Sequence, residues 1–179
     1  MRTPNGYEEI KAMFGDPTGP DGTVNPVWEA KNIKRVVPPA GWQLYYQDKS
    51  GPIKVSGLWV HRLLEPSLAK VLREVWSYAR SQVGTTTTDK EISEWLRQHR
   101  LDLHGGAFDY RKKRISTTDL SLHSFGIALD WDPVNNPQKK PLTRTLPDWW
   151  YDIWQANGWR DGRSFGTPDP MHVQYATGA

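Results

Sequence analysis

LSLHSFGIALDWD, from Leu120 to Asp132, is the stretch whose reading decides the fold. Side chains alternate along a strand, so GIALDW read as a strand puts Gly126, Ala128 and Asp130 on one face and Ile127, Leu129 and Trp131 on the other. One face is apolar, and the other is nearly bare up to its carboxylate. Gly and Ala give up packing in a strand, which marks a place where something approaches the backbone closely. His123 lies an odd number of positions before Asp130 and would face away from it on a straight strand. The two converge only if the chain bends between Ser124 and Gly126, and glycine permits such a bend.

A second stretch repeats the pattern. In DPMHVQY, Asp169 to Tyr175, a strand puts His172 and Gln174 on one face and Met171, Val173 and Tyr175 on the other, with Asp169 just ahead at a Pro170 turn. Two histidines at strand positions, each with a carboxylate nearby, fit a hydrolytic zinc site. Such a site takes three protein ligands and keeps a fourth position open. His123, Asp130 and His172 are the candidate ligands, and Asp169 is the candidate general base. A rival arrangement for acyl transfer uses Ser121 or Ser124 with His123 and an aspartate, but no nucleophile elbow surrounds either serine. The metalloprotease HExxH signature is absent as well.

SLHSFGIALD resembles the S-x-H-x-x-G-x-A-x-D motif, and DPMH the paired D/E-x-x-H motif, of the zinc D-alanyl-D-alanine carboxypeptidase and L-alanyl-D-glutamate endopeptidase family of peptidoglycan peptidases, to which many phage endolysins belong. The resemblance spans about residues 105 to 175. It implies a Hedgehog/DD-peptidase-like α+β fold, a small, mainly antiparallel sheet carrying a zinc site with helices packed around it. It also implies Zn2+ on His123, Asp130 and His172, with Asp169 as base. Arg111, in FDYR, resembles the family arginine that engages the substrate carboxylate or the developing oxyanion, and Arg114 is its rival. Ser121 matches the motif serine, which shapes the site. An aspartate base leans toward the endopeptidases of the family. Two departures stand out: Val173 replaces the aromatic that often follows Met-His, and the usual Trp-Gly-Gly is reduced to Asp161-Gly162 after Trp159.

Composition bounds the rest. At 179 residues the chain is expected to be one catalytic domain. Its hydrophobic fraction is a modest 37%, to which ten Trp and seven Tyr add large buried areas. A net charge of +3 and a pI near 9.1 suit an anionic partner such as a bacterial wall, and equally an ordinary soluble surface. With no cysteine, any metal must rest on His, Asp or Glu. The first thirty residues build no apolar run of signal-peptide length and no stretch approaches a membrane span. The expectation is a monomer made in the cytoplasm without a signal peptide, acting on peptidoglycan after release. The basic run from Arg111 to Arg114 raises a nucleic-acid binder only as a remote alternative. A catalytically silent, zinc-stabilised wall-binding module is the alternative of another class, and an intact Asp169 argues against it.

Along the chain, a helix is expected over Glu8 to Phe14, then an irregular arm from Asp16 to Gly41, rich in Pro and Gly and wrapped on the domain. WQLYYQ and IKVSGLWV around DKSG read as a β-hairpin. Pro66 to Arg80 carries Leu68, Val71, Leu72, Val75, Trp76 and Ala79 at helical spacing. Thr88 with Glu91 forms a capping box ahead of a second amphipathic helix, on which His99 is read as a core or rim residue. PVNNPQKKPLTRTLP is a loop suited to a cleft wall, and Pro147 to Asn157 a Trp-rich helix stopped at Gly158. No separate wall-binding domain is visible.

Overall fold

The structure, a computed structural model, describes residues 1–84, 87–113 and 118–178. In chain order it runs α1 (Gly6–Phe14), α2 (Pro26–Asn32), β1 (Ile33–Val36), β2 (Leu44–Asp48), β3 (Gly51–Val55), β4 (Leu58–His61), α3 (Glu65–Val83), α4 (Asp89–Gln98), β5 (Leu103–Gly106), β6 (Ala128–Trp131), α5 (Asp148–Ala156), β7 (Arg160–Gly162) and β8 (Asp169–Gln174). Six strands form the main sheet in the order β3, β2, β5, β6, β8, β7. Its pairings are antiparallel except for β2 with β5. The fold is therefore α+β around a mainly antiparallel sheet, as the resemblance implied.

Each helix forms for a local reason. The amphipathic stripe of α3 buries Leu68, Val71, Leu72, Val75 and Ala79, with Pro66 in the first turn where its missing N–H costs nothing. α4 starts on the reciprocal capping box of Thr88 and Glu91. His99 is a rim residue, exposed and stacked on Trp95 with ring centroids 3.9 Å apart. From α5, Trp150 and Trp154 pack against Trp131 of β6, the first edge-on at 5.0 Å, so the site strand is anchored by aromatic bulk. Just past β6, buried Asp132 receives two hydrogen bonds from the Arg100 guanidinium, at 2.8 and 2.9 Å.

Three expectations need correction. The arm from 16 to 41 is not irregular throughout, because it contains α2, capped by Asn25 with Pro26 in its first turn, and β1. The second half of the expected hairpin divides: β3 pairs with β2, whereas Leu58–His61 turns away after Gly57 and pairs with β1 in a separate two-stranded sheet. Most consequentially, His123 is not on a strand. It sits in a single turn of 3-10 helix, Leu122–Phe125, ended by Gly126 in the left-handed conformation at φ 67°.

The approach to the bare face also differs from the simplest reading. A Cβ on Gly126 would lie 2.7 Å from the His61 amide nitrogen and 2.8 Å from Ile33 Cδ1. The His61 N–H donates to the Gly126 carbonyl at 2.8 Å. What comes close to this glycine is thus the small β1 and β4 sheet. Both demands, positive φ and close approach, select glycine.

One buried acid opposes the fold at neutral pH. Asp102 precedes β5 and is 5% exposed. Burial pushes its carboxyl up to about 6, with Arg97 and Arg100 only partly offsetting this. The folded chain holds that proton more tightly than the unfolded chain, where the pKa is about 3.9. Stability is therefore lost as pH rises through roughly 4 to 6. Asp102→Asn should stabilise the protein at pH 7 by about 1–3 kcal/mol and by little at pH 4, as read by urea unfolding at the two pH values.

Candidate metal centre

The bend at Gly126 brings the two motif stretches together. Asp130 of β6 stands directly opposite His172 of β8 in antiparallel register, and the 3-10 turn carries His123 onto the same carboxylate. His172 Nδ1 lies 2.9 Å from one Asp130 oxygen and His123 Nε2 lies 3.3 Å from the other. Ligand atoms of His123, Asp130 and His172 all fall within 4.8 Å of one another. The three residues read from the sequence as ligands are the three that the fold assembles.

His123 is 2% exposed and is oriented by the backbone. Its Nδ1 lies 2.7 Å from the Ala107 carbonyl, which can only accept, so Nδ1 carries the hydrogen. The other nitrogen, Nε2, is buried without a hydrogen bond and looks toward an Asp130 oxygen. Two lone-pair donors facing one another in a buried site repel unless a cation or a proton sits between them. Two imidazoles and a carboxylate, with the far side of a histidine tied to a carbonyl, suit Zn2+ well.

The electrostatics point the same way. Burial alone would raise the Asp130 carboxyl, but the charge of His123 and the hydrogen bond and charge of His172 hold it far below the usual carboxylate range. For His172, burial disfavours the imidazolium. The Asp130 hydrogen bond and the negative charges of Asp130 and Asp169 outweigh that and raise its pKa. The site is built to hold positive charge.

Asp169 opens β8 instead of preceding it, and is 9% exposed. It pairs with Gly162 of β7 across a register shift. A Cβ on Gly162 would overlap the Asp169 carbonyl oxygen and lie 3.0 Å from the Asp169 Cβ. The Tyr151 hydroxyl donates to the Pro170 carbonyl at 2.9 Å, and the Arg163 guanidinium covers the Tyr151 ring at 3.9 Å. Asp169 is held from both sides. Of the reduced Asp161-Gly162 pair, the glycine is the member that the carboxylate's placement demands. On the reading of Asp169 as a general base beside a bound zinc, Gly162→Ala should leave the metal bound and lower turnover by roughly a hundredfold, the order expected for an ångström-scale misplacement. Turnover near the wild-type rate in steady-state kinetics would show that Asp169 tolerates the shift.

The other sequence candidates fare differently. Ser121 caps the 3-10 turn, its hydroxyl accepting from the His123 amide at 3.4 Å. Ser124 is fully buried, and its hydroxyl donates to the Arg111 carbonyl at 2.7 Å and accepts from the Arg111 amide at 2.8 Å. That is a structural job, and it leaves the serine no role as a nucleophile. Arg111 therefore lies on the segment tied to the turn that carries His123, with its guanidinium paired to Asp109 at 3.0 Å. Arg114 lies outside the described residues. A groove of about 610 Å3 is lined by Tyr46, Trp59, His104 and the Gly105 to Asp109 segment, whose Ala107 carbonyl holds His123.

His123, Asp130 and His172 form a group able to hold a metal, with Asp169 at the start of the strand that carries His172. Residues 114–175, which carry both motifs, match the family model described as D-alanyl-D-alanine carboxypeptidase, the family that the motifs indicate. The match supports peptidase activity on cell-wall peptides. Comparison with curated proteins and with solved structures gives no match. Among the described residues no helix is long and apolar enough to cross a membrane.

Proposed function

We propose that this protein is a zinc-dependent peptidase of peptidoglycan stem peptides, cutting the L-alanyl-D-glutamate bond in the manner of an endolysin. The observation that carries the reading is the convergence of His123, Asp130 and His172 beside Asp169, on the segment that matches the peptidase family. Zn2+ held by the triad supplies a Lewis acid and lowers the pKa of a water to roughly 7. Asp169 takes the proton of the attacking water as its oxygen bonds to the scissile carbonyl carbon. As the C–N bond breaks, Asp169 returns that proton to the leaving amine. Arg111, released from Asp109, turns its guanidinium to a substrate carboxylate or to the developing oxyanion. The peptide lies along the groove beside Tyr46 and Trp59. Delivery to the wall after release from the cytoplasm, as for a phage lysis enzyme, belongs with the same proposal.

A second reading, a carboxypeptidase that removes terminal D-alanine, draws on the description of the matched family. Mass spectrometry of digested sacculi separates the two. New amino-terminal D-glutamate supports the endopeptidase, and released D-alanine replaces it with the carboxypeptidase. Binding to sacculi without any released product would instead leave a wall-binding module.

A further inference from the structure

The two histidines of the centre are each tied down at the nitrogen that turns away from Asp130, but by different means. His123 uses a backbone carbonyl. His172 uses a side chain: its Nε2 lies 3.1 Å from Gln174 Oε1. Residues two apart on a strand share a face, so β8 offers Gln174 to His172 by construction. Opposite Gln174 in register stands Ala128, whose methyl group takes little of the shared face.

The amide of Gln174 is itself fixed. It is 4% exposed, and its NH2 donates to the Ala176 carbonyl at 2.9 Å. Turning the amide over would set its NH2 on His172 and its oxygen against a carbonyl oxygen, at the cost of a buried hydrogen bond. With the oxygen toward His172, only a hydrogen on Nε2 satisfies the pair. The Nδ1 lone pair is then the one presented toward Asp130, 2.9 Å away.

This matters because Asp130 pulls in the opposite direction. A carboxylate 2.9 Å from Nδ1 favours a hydrogen on that nitrogen, and an Nδ1–H cannot bind a metal. We propose that Gln174 is a positioning residue that keeps the hydrogen of His172 on Nε2 and so presents Nδ1 to the metal, while Ala107 makes His123 present Nε2. The centre thus takes one imidazole through each kind of nitrogen. The inference rests on the zinc reading of the triad and not on the substrate. A protein that binds zinc and cuts no peptide would refute the proposed function and leave this role intact.

The test needs no activity. In the wild-type protein loaded with Zn2+, long-range 1H–15N correlation of His172 should place the remaining hydrogen on Nε2 and the metal on Nδ1. Metal on Nε2, or no metal bound at all, overturns the proposal. Gln174→Leu should weaken zinc binding by 10- to 100-fold in competition with a chromophoric chelator, the usual scale for losing such a partner. With the metal removed and the imidazole neutral, its His172 hydrogen should move to Nδ1. Gln174→Glu keeps an oxygen acceptor for Nε2–H and should stay within a few-fold of wild type, which guards against a merely structural effect of the leucine. Wild-type zinc affinity in Gln174→Leu, or equal losses in both variants, would contradict the assignment.

Discussion

Asp169→Asn is expected to keep one zinc per chain and to lose hydrolysis by roughly 10²- to 10⁴-fold, the contribution of a general acid and base. The side chain keeps its size, so the pairing of residue 169 with Gly162 and the bond from Tyr151 to Pro170 persist. The metal is expected to persist because His123, Asp130 and His172, whose ligand atoms lie within 4.8 Å of one another, are left untouched. Zinc content by elemental analysis and amine release from sacculi are read on the same preparation. Wild-type turnover would remove Asp169 from the reaction, and loss of zinc together with turnover would make it a ligand instead.

His123→Ala is expected to fail at the earlier step. It takes one of three ligands from the centre, so zinc should be absent after dialysis and hydrolysis should fall to background. Any ligand that binds only the folded state stabilises it, by about 4 kcal/mol at a thousand times its dissociation constant. Added zinc should therefore raise the melting temperature of the wild type and leave that of the variant unmoved. A full complement of zinc in the variant would take His123 out of the ligand set. Circular dichroism serves as the control for folding, since the ring is buried at 2% exposure and its removal leaves a small cavity.

How much of this was legible in the sequence depended on how local the cause was. The stripe of α3 and the capping box of α4 each rest on a few neighbouring residues and formed where the pattern placed them, while β6 begins only at Ala128 and β8 already at Asp169. That His123, Asp130 and His172 converge was legible because a short loop and a cross-strand pair bring them together, and the need for a bend at Gly126 followed from counting positions. What lay between His123 and that bend was not legible. Four residues of LHSF suit a 3-10 turn as readily as a strand, and the cap from Ser121 tips the balance.

Longer-range features left weaker traces. The pairing of β1 with β4 joins residues 33–36, within the Pro-rich arm, to 58–61 across the intervening β2 and β3, and nothing in either segment names its partner. The bare face of Gly126 announced a close neighbour but not that it would be this small sheet. Gly162 showed as a departure from a family pattern, although its lack of a Cβ is what admits Asp169. Gln174 was legible as sharing the His172 face. Its role needed the orientation of the amide, which the Ala176 carbonyl sets.

If His123, Asp130 and His172 hold a zinc ion used for peptide hydrolysis, every turnover requires that metal. The most direct measurement is the release of new amino groups from purified sacculi by protein stripped with a chelator and then titrated with Zn2+. No release is expected from the stripped protein, with full recovery at one equivalent of zinc. Undiminished release from the zinc-free protein would contradict it.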